Sequence, residues 1–229
     1  MMQHLAIIPD GNRRWARQHK LESVFGHRKG MEVVRAAITA CIKNSIKYLS
    51  FYTFSLENFK RSEFEKTHLF NLLAAGMRDY LPELVENKIR VQFVGDRSQF
   101  PKQLHHEIEQ LEQQTQQFSR LTVILFFCYG ATFEIAQAAK TIAHNVKNGL
   151  LAVDDINEQT IRDCLWTSHI PDPDLIIRTG CVARLSNFLL FQAAYTEFAF
   201  LDCYWPEMTE EKITQCLEKY RQTQKNVGR

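Results

Sequence analysis

The chain has 229 residues, 45% of them hydrophobic and 24% charged, with a formal net charge of +2. That length and composition describe a single globular domain over 1–229 with a sizeable core, rather than two small domains. So small a net charge gives no bulk electrostatic case for a nucleic-acid partner, and any functional positive charge must be local.

The first apolar run, His4–Ile8, reads as a strand that ends directly in Pro9-Asp10-Gly11-Asn12-Arg13-Arg14-Trp15. A strand ending in a carboxylate, a glycine and two arginines reads as a turn that holds a polyanion. Gly11 lets the backbone approach closely, and a helix starting there, over Arg13–Lys20, turns free N–H groups toward the anion. Asp10 suits a phosphate only with a divalent cation such as Mg²⁺ between them. The plainer account is ordinary capping by Asp and Gly with a solvated arginine pair. Gly26-His27-Arg28-Lys29-Gly30 follows a loop and reads as a flexible lead-in to a helix over Gly30–Asn44, with a second phosphate loop as the weaker alternative.

Further along, strands are expected at Tyr48–Phe54, Val91–Gly95, Thr122–Cys128, Leu175–Arg178 and Phe198–Leu201. Helices are expected at Lys66–Asn87, Pro101–Phe118, Phe133–Asn148, Glu158–Trp166 and Glu210–Gln224. The alternation implies an α/β fold: a mostly parallel six-stranded sheet with helices on both faces. Right-handed crossovers gather the turns after the strands along one edge, where such sheets bind ligands. Neither a dinucleotide fingerprint nor a P-loop motif occurs.

The second informative segment is Arg178-Thr179-Gly180-Cys181-Val182-Ala183-Arg184-Leu185-Ser186-Asn187-Phe188. Two guanidinium groups and a hydroxyl after a strand suit a diphosphate. The alternative is that Ser186 caps a helix over Asn187–Gln192 while the arginines make surface ion pairs. Glu197 is an acid set among aromatic and aliphatic residues, which asks for a metal or an arginine partner. The helices Gly30–Asn44 and Lys66–Asn87 carry more apolar surface than one sheet face needs. Small residues on them, including Ala36, Ala37, Ala74 and Gly76, either leave a lumen or let the helices pack closely.

The six cysteines lie far apart with no Cys-x-x-Cys and no histidine at ligand spacing, which points to reduced, mostly buried thiols in a cytoplasmic protein. The opening residues lack the charged region of a secretory leader. No apolar run approaches the ~20 residues that span a bilayer.

Asp10-Gly11-Asn12-Arg13-Arg14-Trp15-Ala16, Phe25-Gly26-His27, Phe54-Ser55-Leu56-Glu57-Asn58-Phe59-Lys60-Arg61, Val94-Gly95-Asp96, Pro173-Asp174-Leu175-Ile176-Ile177-Arg178-Thr179, Arg184-Leu185-Ser186-Asn187-Phe188-Leu189-Leu190 and Trp205-Pro206 occur in that order. Together they resemble the cis-prenyltransferases, most closely the bacterial undecaprenyl diphosphate synthases. The resemblance implies a homodimer, a hydrophobic tunnel, and Mg²⁺-dependent addition of isopentenyl diphosphate to an allylic diphosphate. It assigns Mg²⁺ to Asp10 and Glu197. It places the allylic diphosphate on Gly11, Asn12, Arg14 and His27, with Trp15 and Phe59 among the substrate contacts. Ser55, Asn58 and Arg61 line the reacting centre, with Asp10 and Asn58 catalytic, and Arg178, Arg184 and Ser186 hold isopentenyl diphosphate. It also implies peripheral membrane contact for release of a lipid product.

The chain departs from the family pattern at several points. An acid is missing at Val182, and a glycine and an arginine are replaced by Ala131 and Thr132. Phe59 stands for a tryptophan, Ser23 for an arginine and Leu56 for Ser or Thr, while Asn226-Val227-Gly228 replaces Arg-x-Gly. A short-chain or unusual product, or a non-catalytic partner subunit, is the alternative these changes raise.

Overall fold

The computed structural model describes residues 2–223. In chain order the elements are β1 (His4–Ile8), α1 (Asn12–Gln18), α2 (Ser23–Lys43), β2 (Tyr48–Ser55), α3 (Glu63–Glu86), β3 (Ile89–Val94), α4 (Lys102–Thr115), β4 (Leu121–Tyr129), α5 (Ala131–Lys147), α6 (Glu158–Cys164), β5 (Leu175–Arg178), β6 (Glu197–Phe200) and α7 (Glu210–Gln222). The strands form one sheet in the order β3-β4-β2-β1-β5-β6, and every neighbouring pair is parallel.

The continuous apolar runs of β1, β4 and β5 follow from that arrangement, because a parallel sheet is covered on both faces. On one face Leu5, Ile7, Leu49 and Phe51 pack against Val33 and Ala37 of α2, Met77 of α3, Ile108 of α4 and Leu217 of α7. On the other, Ala6, Ile8, Ile124 and Phe126 pack against Ala131 of α5 and against Phe188, Leu189 and Ala193. All strands point the same way, so Asp10, Ser55, Gly130 and Thr179 emerge along a single edge.

Two local expectations are corrected. The glycine pair Gly26 and Gly30 is not a flexible lead-in but lies inside α2, which begins at Ser23. A Cβ on Gly26 would stand 2.0 Å from the Asn12 carbonyl oxygen, and one on Gly30 would stand 2.7 Å from Trp205 Cδ1. Both glycines therefore let α1 and Trp205 pack against α2, and Trp205 Nε1 donates to the Gly30 carbonyl at 2.8 Å. The segment after Ser186 is a run of turns rather than a helix. Ser186, Asn187 and Leu189 have φ of 53, 65 and 47°, in the left-handed region that interrupts a right-handed helix.

All six cysteines are free thiols, but only Cys41 and Cys128 are buried; Cys164, Cys203 and Cys216 are half-buried and Cys181 is exposed, so the expected burial is corrected. Among the described residues no helix is long and apolar enough to cross a membrane. The Asn226 departure lies outside the described residues.

Candidate active site

β1 delivers Asp10 to the sheet edge, and Gly11, at φ 108°, turns the chain into α1. Asp10 sits between two arginines: Oδ1 is 3.1 Å from Arg14 Nη2, one helical turn on, and Oδ2 is 2.9 Å from Arg178 Nη2, at the end of β5. Strand register makes the second contact, because Ile8 pairs with Arg178. The Arg178 side chain is only 4% exposed against 30% for Asp10, so the carboxylate is the solvent-facing member of the pair. Arg178 Nη1 donates to Ser186 Oγ at 2.8 Å and also to the Arg184 carbonyl. Asp10, Arg14, Arg178, Ser186 and the backbone of Arg184 are thus brought together. The Arg184 side chain is exposed at the same loop.

A second group stands beside the first. Arg61 Nη1 pairs with Glu65 Oε1 at 3.0 Å, and Arg13 Nη1 approaches the same oxygen at 3.6 Å. Burial, with Arg61, His68 and Arg13 nearby, lowers the His27 pKa to about 4, so this imidazole is neutral at pH 7. Ser55 and Asn58 close a reciprocal cap on the turn Leu56–Lys60, with Ser55 N donating to Asn58 Oδ1 at 3.2 Å. Phe59 packs edge-on against Phe54, with ring centres 5.2 Å apart. Trp15 stacks on His19 at 4.2 Å.

Buried polar atoms left without a hydrogen-bond partner among the described residues include Asn12 Oδ1, His27 Nε2 and Arg178 Nε. Such atoms are rare in folded proteins, and each asks for a missing partner. Two of these residues, Asn12 and His27, border one place. Below it lies a cavity of about 170 Å³, reached past Pro9, Asn12 and His27 and walled by Val34, Leu73 and Met77 among others. It extends to Leu84, fifteen residues along α3 from Leu69, or about 22 Å at the rise of an α-helix. A polar mouth over a long apolar chamber is shaped for a molecule with an anionic head and a hydrocarbon tail.

Glu197 is not part of this cluster within one chain. It opens β6, where it pairs with Leu175, whereas Phe200 pairs with Arg178. Three residues of strand separate the two levels, about 10 Å at the rise of a parallel strand. Its burial is partial, so the expected buried acid is also absent. Among the described residues no group of three or more His, Cys, Asp or Glu stands ready for a metal. Asp10 still suits Mg²⁺, which takes one or two protein carboxylates plus substrate phosphate oxygens. Each of its oxygens makes a single ion-pair contact to arginine and keeps a lone pair.

Sequence reasoning missed several contributors. Gly180, at φ 95°, leaves room for the arginines: a Cβ there would be 2.6 Å from Arg14 Nη2 and 3.0 Å from Asp10 Cγ. Thr179 Oγ1 donates to the Asp10 carbonyl at 2.7 Å. Glu134 is 1% exposed and accepts from Tyr129, Thr167 and Gln192, anchoring the turns beyond Ser186. Only a positive-φ requirement at Gly180 carried a sequence signal, in the Thr-Gly after a strand.

A parallel α/β sheet with an arginine-flanked carboxylate near an apolar chamber suits an enzyme that handles an anionic head on a hydrophobic tail. Residues 8–228 match the family described as "Putative undecaprenyl diphosphate synthase", and the chain belongs to that prenyltransferase family. It is 42% identical to an isoprenyl transferase of Agrobacterium fabrum over 99% of this chain and 92% of the relative. It is 36% identical to the farnesyl-diphosphate-specific ditrans,polycis-undecaprenyl-diphosphate synthase of Micrococcus luteus, over 99% and 91%. Its fold matches lavandulyl diphosphate synthase from Lavandula x intermedia, solved with dimethylallyl diphosphate, at TM-score 0.96 and 34% identity over 100% and 98% of the two chains. A probable undecaprenyl diphosphate synthase from Campylobacter jejuni matches at TM-score 0.82 and 29% identity, over 100% and 99%.

Proposed function

We propose that this prenyltransferase adds isopentenyl diphosphate units with cis geometry to an allylic diphosphate such as farnesyl diphosphate. The product is a polyprenyl diphosphate of the undecaprenyl carrier-lipid type used in cell-wall synthesis. The observation that carries this reading is Asp10 set between Arg14 and Arg178, with its near neighbours Pro9 and Asn12 lining the apolar cavity.

Asn12, Arg14 and the neutral His27 bind the allylic diphosphate, and Gly11 lets the backbone close on it. The allylic tail lies in the cavity, where burial of each methylene contributes about 0.8 kcal/mol. Arg178, Arg184 and Ser186 hold the diphosphate of the incoming unit, while Ser55, Asn58 and Arg61 border the reacting carbons. Asp10 would hold Mg²⁺, whose chemistry is to neutralise the departing diphosphate. The arginines reinforce this, because preorganised charge acts where charge develops in the transition state. Trp15 and Phe59 line the approach.

The enzyme acts as a homodimer. Phe198 and Phe200, stacked with centres 5.8 Å apart on the open edge strand β6 and each 41% exposed, support pairing there. Glu197 lies on the same edge, so a metal role for it falls to a site shared between subunits. Cytoplasmic location with peripheral membrane contact completes the proposal, since the product tail needs an apolar acceptor.

A second reading is a short-chain product. About 170 Å³ is close to the volume of an engineered cavity that holds benzene, roughly 150 Å³, and suits a short isoprenoid better than a long one. The high structural likeness to lavandulyl diphosphate synthase favours the same reading. Radiolabelled isopentenyl diphosphate, Mg²⁺ and either farnesyl or dimethylallyl diphosphate separate the two. Long butanol-extractable chains support the first reading, one or two additions the second, and no product with any primer overturns both.

A further inference from the structure

Asn187 lies where three segments of the site meet, and neither its type nor its position marks it as a substrate contact. Its side-chain Oδ1 accepts from Thr132 N at 2.9 Å, and its carbonyl accepts from Ala131 N at 2.9 Å, so it caps the start of α5 from outside. Its Nδ2 donates to Glu57 Oε1 at 2.8 Å, on the turn that carries Asn58, Phe59 and Arg61. Its own backbone follows Ser186, whose hydroxyl accepts from Arg178. The residue sits at φ 65°, a left-handed conformation that Asn tolerates better than most residues. A Cβ on Gly130 would stand 2.9 Å from Asn187 Nδ2, so that glycine makes room for the amide.

One planar amide therefore joins the Arg184–Ser186 loop to the Ser55–Arg61 turn, and seats both on the rigid start of α5. We infer that Asn187 is a positioning residue that sets the isopentenyl diphosphate loop against the turn bordering the reacting carbons, using Glu57 as its anchor. The inference rests on the function proposed above. Burial acts to raise the Glu57 carboxyl, but the Asn187 amide, the residue's own backbone, the Ser55 hydroxyl and Lys60 outweigh it and hold the group ionised. An ionised Glu57 is an acceptor only, which fixes the amide orientation: Nδ2 toward Glu57, Oδ1 toward Thr132. Correct placement of two reactants governs the chemical step more than their separate binding, and a shift of about 1 Å costs up to 10²-fold.

Asn187→Asp separates positioning from folding. The aspartate still accepts from Thr132 N, but its second oxygen repels Glu57. The expected result is a fall in kcat of about 10- to 100-fold, with KM for both substrates within about threefold of wild type. Glu57→Gln/Asn187→Asp restores a donor opposite an acceptor, and recovers kcat to within about threefold of Glu57→Gln alone. Asn187→Asp with wild-type kcat overturns the inference. So does a loss that the double variant fails to recover, or one matched by a proportional loss of folded protein in calorimetry. A wild-type protein that extends no primer overturns the proposed function and this role with it, whereas active wild type with indifferent variants overturns the role alone.

Discussion

The buried Arg178 guanidinium and the Asp10 carboxylate meet at 2.9 Å, and this contact ties the turn after β1 to the loop that follows β5. Arg178, proposed above to hold diphosphate, is also a structural post. Its other Nη donates to Ser186 Oγ at 2.8 Å and to the Arg184 carbonyl. Asp10→Ala consequently touches stability as well as turnover. Turnover is expected to fall by about 10³-fold or more, since both the proposed metal carboxylate and the arginine alignment go. Unfolding free energy falls by about 1–3 kcal/mol, because a buried cation loses one of its acceptors. Asp10→Asn recovers much of the stability and none of the activity. Turnover together with calorimetry checks the pair of outcomes.

His4 and His27 set an acid limit on stability. Burial is the main cause that lowers each pKa from 6.5 to about 4, although His4 Nδ1 is bonded to the Pro171 carbonyl at 2.6 Å and Nε2 to Ser50 Oγ at 2.7 Å. The unfolded chain takes up these protons first as pH falls below 6.5. Their contribution is complete above that pH and is lost progressively from about 6.5 down to about 4. Urea unfolding between pH 7.5 and 4.5 is expected to show this decline. In His27→Gln the decline is shallower, and an unchanged slope would deny the shift at His27.

On the proposed function, product length follows the wall of the cavity. Leu84, 6% exposed, lines the cavity from the last turn of α3. Leu84→Trp fills that space and costs about 1–3 kcal/mol of overpacking. Thin-layer chromatography of the products is expected to show shorter chains, with KM for the primer unchanged. Unshortened products would place the tail elsewhere.

Gly180 tests the packing of the two arginines around Asp10. At φ 95° any side chain is strained, and a Cβ meets Arg14 Nη2 at 2.6 Å. Gly180→Ala is expected to lose about 1–3 kcal/mol of stability. Turnover falls at least tenfold as Arg14 is displaced. Equal activity in the variant would mean that Arg14 has another working position.

The sheet was legible because β1, β4 and β5 are unbroken apolar runs that end in polar turns. Asp10, Arg14, Arg178 and Ser186, which the structure brings together, stood out in the sequence because they end or follow the apolar runs of β1 and β5. Gly26 and Gly30 were misread because a glycine pair beside charged residues looks like a loop. Their actual cause, the approach of Asn12 and Trp205, is a tertiary contact. Glu197 was misplaced since its neighbours suggest burial, whereas the register of an edge strand half exposes it and sets it three residues from the site level. The bridging contacts of Asn187 and the anchoring contacts of Glu134 gave no signal, because their partners are distant in sequence.

The most direct test is a crystal structure with Mg²⁺ and an allylic thiodiphosphate that does not react. The account predicts the diphosphate against Arg14 and His27, with the metal on Asp10 and the hydrocarbon tail running between α2 and α3 toward Leu84. A diphosphate bound away from Asp10, or a tail lying outside that chamber, would contradict it.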